Sequence, residues 1–220
     1  MKIIILILLL NCFVQDVSAT AQIPDRLIYE GKSYHLHNNP LEVYFKEHPK
    51  KRPEGEVTST ALWRGYIATF EIQDQVLVLK DLQIEVYEHQ EGKEEWMPNT
   101  TLKSVLKEVF PEEEAFIIDW CTEVLILPSG KLIKYVHHAY ASIFEQYVLL
   151  EMKEGTLTQS KAFDTAGYLA FKKQQLERFK ATTDYQTYLT KWKEKYDYTV
   201  EDVDEILEAG IFKYLDGFLE

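Results

Sequence analysis

The sequence predicts an α+β protein: a mostly antiparallel twisted sheet built from hairpins, with a C-terminal helical segment packed on it. Three observations carry this reading. Thr60 to Glu88 reads as two long strands, dense in aromatic and β-branched residues and joined at Gln73-Asp74-Gln75. A second strand-rich block runs from Phe116 to Thr158, punctuated by Pro128-Ser129-Gly130 and Glu154-Gly155. After Ala162 the apolar spacing becomes helical. Strands first and helices last is the α+β order.

A chain of 220 residues can bury a core without disulfide or metal support. The net charge of −12 argues against nucleic acid and against an anionic membrane surface, both of which call for clustered Lys and Arg. An acidic surface would instead attract a basic protein partner. Lys2, the apolar run Ile3 to Leu10 and the small-residue site Ala19-Thr20-Ala21 make residues 1–21 an export leader, too short in its apolar part to span a bilayer. The mature chain is expected from about Gln22, in the periplasm or outside the cell. The alternative use of Cys12 is as a lipidated cysteine, although the bulky Asn11 precedes it. With the leader removed, Cys121 is the one cysteine left, so no internal disulfide can form. The expected organisation is a leader over 1–21, a β-rich region with two short helices over 22–160, and a helical segment of the same domain over 161–220.

Leu27-Ile28-Tyr29 and Ser33 to Leu36 flank a turn at Glu30-Gly31-Lys32, a short hairpin. Asn39-Pro40 opens a small helix carrying Leu41, Tyr44, Phe45 and His48. His48 to Glu56 is a basic, proline-containing loop. In the following strand, Leu62, Arg64, Tyr66, Ala68 and Phe70 share a face, and Arg64 is discordant there. Either Gly65 turns Arg64 outward at a bulge, making Trp63, Arg64 and Tyr66 a contact surface, or Arg64 is buried and needs a carboxylate. Leu102, Val105, Leu106, Val109 and Phe110 fit a helix capped by Thr101. Phe116 to Leu127 and Lys131 to His137 read as a hairpin across Pro128-Ser129-Gly130, with Ala141 to Lys153 as the next strand. Three helices complete the chain: one capped by Asp164, one starting near Asp184 with a stripe of Tyr185, Tyr188, Leu189, Trp192 and Tyr196, and one opened by the capping box Thr199 to Asp202.

Leu62-Trp63-Arg64-Gly65-Tyr66-Ile67-Ala68, Asp119-Trp120, and Pro128-Ser129-Gly130-Lys131-Leu132 followed by Tyr135-Val136-His137 together resemble a small uncharacterised bacterial protein group. The resemblance covers about Pro24 to Thr158. It implies a bacterial source and a periplasmic location, and brings no activity or catalytic residues with it.

The sharpest chemical constellation is Cys121 opposite His137 or His138 across the expected hairpin, with Asp119 on the same face to orient the imidazole. Nucleophile, base and orienting carboxylate would then be within reach. Against it, a mid-strand cysteine is ordinarily a small buried hydrophobe. His35 and His37 sit two apart on a strand and could begin a zinc site, but no spacing supplies the third ligand. Tyr185, Tyr188, Trp192, Tyr196 and Tyr198 could line a ligand groove, although helical spacing places such residues in a core first. No glycine-rich phosphate loop, serine elbow or H-E-x-x-H motif occurs, and no cofactor is expected. Three readings follow. The first is a non-catalytic exported protein that binds another macromolecule, such as an immunity-type inhibitor of a basic toxin. The second is a hydrolase or transferase dependent on Cys121. The third is a carrier of a small ligand in an aromatic-lined pocket. Oligomeric state is not legible at this level.

Overall fold

The computed structural model describes residues 20–57, 59–88, 99–111 and 116–219. Residues 1–19, which hold most of the expected leader and Cys12, lie outside the described residues. The fold is α+β, with a mostly antiparallel nine-stranded sheet and the helices at the C-terminal end. Strands β1 (Asp25–Tyr29) and β2 (Lys32–Leu36) form a hairpin, and the helix α1 (Leu41–Glu47) follows. Strand β1 also pairs in parallel with β3 (Ile67–Gln73), whose antiparallel partner is β4 (Val76–Tyr87). Strand β5 (Thr100–Ser104), the single-turn helix α2 (Leu106–Val109) and the short β6 (Phe116–Ile117) come next. The meander β7 (Glu123–Lys134), β8 (Ile143–Lys153) and β9 (Thr156–Asp164) leads into α3 (Thr165–Phe179), α4 (Thr183–Tyr196) and α5 (Val200–Gly210). Strand β9 therefore runs past residue 160, and the helical segment begins at Thr165.

Three hairpins turn on residue pairs with both φ positive: Glu30-Gly31 (49°, 72°), Asp74-Gln75 (48°, 70°) and Glu154-Gly155 (48°, 73°). This is the type I′ geometry that matches strand twist. Gly155 has a second constraint, because a Cβ there would lie 2.5 Å from the Ile118 carbonyl oxygen.

The sheet order is β2-β1-β3-β4-β9-β8-β7, with β5 and β6 both paired to β4. The two ends of this path meet. The His37 N–H, just past β2, donates to the Ile126 carbonyl of β7 at 2.9 Å. The Asn38 side chain then acts like one more peptide unit: its Nδ2 donates to the Val124 carbonyl at 3.0 Å, and its Oδ1 accepts the Ile126 N–H at 2.8 Å. The weakest seam is opposite, where β4 and β9 share one register pair, Val76 with Thr156. The sheet thus curls into a barrel-like wall around a first core that includes Leu27, Phe70, Leu82, Leu125, Leu150 and Met152, plugged by Leu41 and Phe45 of α1. A second core covers the outer face of β7 and β8. There Val124, Tyr147 and Leu149 pack under Leu176 and Phe179 of α3 and Val203 and Leu207 of α5.

Several expected elements differ. The strand expected from Thr60 begins only at Ile67, after the turn Thr60–Leu62, and the strand expected over Phe116 to Leu127 is broken between Ile117 and Glu123. Thr100 to Ser104 is a strand, not the start of a helix, because it pairs with Gln83 to Tyr87 of the long β4. Only Leu106–Val109 is helical. Pro128-Ser129-Gly130 is not a turn either. Strand β7 runs through it beside β8, with register shifts between Ser129 and Leu132 and between Leu132 and Lys134. Gly130, at φ 73°, sits within the first shift. A turn and a bulge call on the same residues, and the long β8 running alongside decides for the bulge. The C-terminal helices follow their caps. The Asp164 Oδ1 accepts the Gly167 N–H at 2.7 Å, and the Thr199 and Asp202 capping box is complete.

Candidate functional site

Arg64 is buried and paired. Its Nη2 lies 3.1 Å from the Asp25 Oδ1, and neither side chain is exposed to solvent. The same Nη2 donates to the Ile23 carbonyl at 3.0 Å, and Nη1 donates to the Tyr140 hydroxyl at 2.9 Å. The Asp25 Oδ1 also accepts the Ala68 N–H at 2.9 Å. Asp25 Oδ2 and Arg64 Nε are buried without a partner. Burial pushes the Asp25 carboxyl up to about 6, against the pull of Arg64 and of the Ala68 N–H. Beside the pair, Arg52 forms a two-pronged bridge to Glu42, both contacts at 2.9 Å, and Glu42 accepts the Tyr66 hydroxyl at 2.8 Å. Arg52 therefore anchors the basic loop to α1.

The contact-surface reading of Trp63, Arg64 and Tyr66 does not match this arrangement. Trp63 is 62 % exposed, but Arg64 and Tyr66 are buried. The turn at Thr60–Leu62 and the positive φ of Gly65 swing the chain so that Arg64 points to β1. Its partner is a carboxylate of the first strand, not of the later sheet or helices.

The structure does not bring Cys121 to His137 or His138. Because β7 is one continuous strand of 12 residues, the cysteine precedes one end and the histidines follow the other. Cys121 is 3 % exposed, and its Sγ meets the Glu123 Oε1 at 3.7 Å. Burial pushes the thiol up, and the Glu123 carboxylate adds to the shift. Asp119 is exposed. The histidine pair also separates: His35 is exposed, while His37 is buried beneath Tyr140 with ring centroids 4.8 Å apart and planes at 13°. Burial pulls His37 down to about 3, so it is a neutral ring. Among the described residues no group of three or more His, Cys, Asp and Glu side chains could hold a metal ion.

A cleft of about 520 Å³ opens between the β7–β8 wall, the loop joining those strands, and the helices α3 and α5. Its floor is Ile211 and Phe212, in the turn Ile211–Tyr214 that follows α5. Tyr147 and Tyr168 stack in one wall at 3.7 Å between centroids. Leu169 and Ile206, both partly exposed, form the apolar rim. The polar contributions include His37, His138, Tyr140, Lys172 and Lys213. Lys172 reaches over the Tyr168 ring at 5.7 Å and donates to the Ala209 carbonyl at 3.0 Å. Tyr140 joins the cleft to the buried ion pair: its ring lies on His37, and its hydroxyl bridges Arg64 and Asn39. The α4 aromatics expected to line a groove do something else. Tyr185 is buried, and Tyr188 and Trp192 pack edge-on against Tyr214. Sequence reasoning missed the cleft because its walls come from three distant stretches that carry no shared motif.

Comparison with protein-family models, with curated proteins and with solved structures gives no match. Among the described residues no helix is long and apolar enough to cross a membrane.

Proposed function

We propose that this chain is an exported, non-catalytic binding protein and that it binds a small ligand in the cleft between the β7–β8 face and the helices. The leader motif supports export. One observation carries the binding reading: an apolar, aromatic-lined concavity of about 520 Å³ with a few polar side chains converging on it. That size and composition are those of small-molecule sites. Catalysis through Cys121 finds no support, since the thiol is buried, unactivated and partnered by Glu123 rather than by a histidine. The test is a thermal-shift screen of small molecules against the protein and against Ile206→Trp, which fills the cleft from its exposed rim. Ligands that stabilise the first protein and not the variant are expected. A screen whose every stabilising compound acts equally on both would sink the reading.

A second reading, a basic protein partner of the kind an immunity-type inhibitor meets, is favoured by the exposed carboxylates of Glu201, Asp202, Glu205 and Glu208 along α5. Such a partner would be captured at low salt and released at high salt. Capture that does not respond to salt would count against it.

A further inference from the structure

We propose that the cleft selects an anionic amphiphile, a carboxylate with a medium-length apolar body, whose head is held by Lys172 and Lys213; this rests on the reading of the cleft as a binding site. The first ground is charge. The chain carries 36 Asp and Glu against 24 Lys and Arg. Among the described residues no carboxylate lines the cleft, while both Lys172 and Lys213 do. A cleft of inverted sign in an acidic protein concentrates anions and repels cations.

The second ground is that the two ammoniums are free to receive a ligand. Among the described residues no carboxylate lies within ion-pairing distance of either. Lys172 uses one of its three N–H donors on the Ala209 carbonyl. It is drawn down by burial, with Glu208 acting the other way from outside the cleft. A ligand carboxylate would restore the charge that burial opposes. Lys213 is exposed, and its field is felt by His37 and Glu123.

The third ground is the rest of the wall. Tyr147, Tyr168, Leu169, Ile206, Ile211 and Phe212 offer an apolar surface continuous with the two cations. A small, heavily hydrated anion such as inorganic phosphate would leave that surface wet, and an amphiphile covers it. His37 adds a neutral polar edge that does not compete for the head group.

The experiment is calorimetric titration of decanoate, 1-decanol and decylammonium into the protein at low ionic strength and at about pH 8, where the carboxylate and the ammoniums are charged. Decanoate is expected to bind at least about tenfold more tightly than decanol, the increment of one charge-assisted contact, with decylammonium the weakest. Lys172→Met and Lys213→Met should each bring decanoate towards decanol and leave decanol unchanged. Equal affinities for decanoate and decanol, or preference for decylammonium, would overturn the charge selection while the cleft reading stands. Failure of all three to bind would overturn the amphiphile proposal, and the screen against Ile206→Trp decides the cleft reading separately.

Discussion

Asp25 and Arg64 show how one discordant residue can organise a molecule. The guanidinium reaches three chain segments at once: β1 through Asp25, the stretch before it through Ile23, and the β7–β8 loop through Tyr140. The pair is costly as well as cohesive, because both ions are removed from water and each keeps one unpartnered atom. The consequence is a pH dependence with a definite sign. The Asp25 carboxyl titrates at about 6 when folded against 3.8 unperturbed, so between those values the folded state holds a proton that the unfolded chain has released. Its contribution to stability is fully present below the unfolded value and is lost as pH rises through about 6. A shift of about two units corresponds to roughly 3 kcal/mol. His37 has the opposite effect: its folded value of about 3 lies below 6.5, so its contribution is present above 6.5 and is lost as pH falls. The two overlap in the raw profile, and the comparison with Asp25→Asn separates them. Urea denaturation of both proteins from about pH 4 to about pH 7 should show the native protein losing up to roughly 3 kcal/mol relative to the variant as pH rises. Parallel profiles would show that Asp25 does not titrate in this window.

At the scale of elements, the closure of the sheet rests on Asn38. One backbone hydrogen bond, from the His37 N–H to the Ile126 carbonyl, crosses from β2 to β7; the Asn38 side-chain amide adds two more, to Val124 and Ile126, and also donates to the Glu123 Oε2 at 2.7 Å. Asn38→Ala would leave a buried N–H, a buried C=O and a carboxylate without this partner. Each unmet group costs about 1–3 kcal/mol, so a loss of at least roughly 3 kcal/mol is expected from denaturant midpoints at unchanged slope. A loss under about 1 kcal/mol would mean that the seam closes without it. Asn38 is also an example of what a sequence conceals. Its neighbours His37 and Asn39 look no different from it, and its partners lie 86 and 88 positions away. The type I′ turns were legible because positive φ restricts residue choice over two positions. The caps at Asp164 and Thr199 were legible for the same local reason, whereas Thr101 lies in a strand and the Asn39 side chain accepts from Tyr140 instead of capping α1. Strand β5 and the straight course of β7 were not, since each is decided by a distant strand: β4 recruits Thr100 to Ser104, and β8 holds β7 extended through Pro128. The discordance of Arg64 was likewise visible, and its carboxylate was not, being 39 residues upstream. The Cys121 and histidine constellation depended wholly on the hairpin at Pro128-Ser129-Gly130 and separated with it.

At the scale of the whole molecule, the sheet is a wall between two cores, and the helices are needed as much as the barrel-like interior. Val124, Tyr147 and Leu149 point outward from β7 and β8, yet all three are buried because α3 and α5 lie on them. The C-terminal end fastens this cover. The Phe218 N–H donates to Glu151 of β8 at 2.6 Å, and Gln175 of α3 exchanges two hydrogen bonds with Leu219, at 2.7 and 3.0 Å. Arg178 also donates to the Leu219 carbonyl. Ending the chain after Asp164 would expose an aromatic and aliphatic face on a sheet already interrupted at the β4–β9 seam. Full burial of each such side chain is worth about 1.5–3 kcal/mol, so three of them amount to a large share of a net stability of about 5–15 kcal/mol. The truncated chain is expected to lose its cooperative thermal transition and to bind a hydrophobic dye such as ANS, while a chain lacking only Phe218 onward should keep the transition at a lower midpoint. A truncated chain that still melted in one sharp step would show that the barrel-like core stands by itself and that the helices serve the cleft alone. The graded outcome is the one the packing favours, because the same helices that build the cleft also dry the outer face of the sheet.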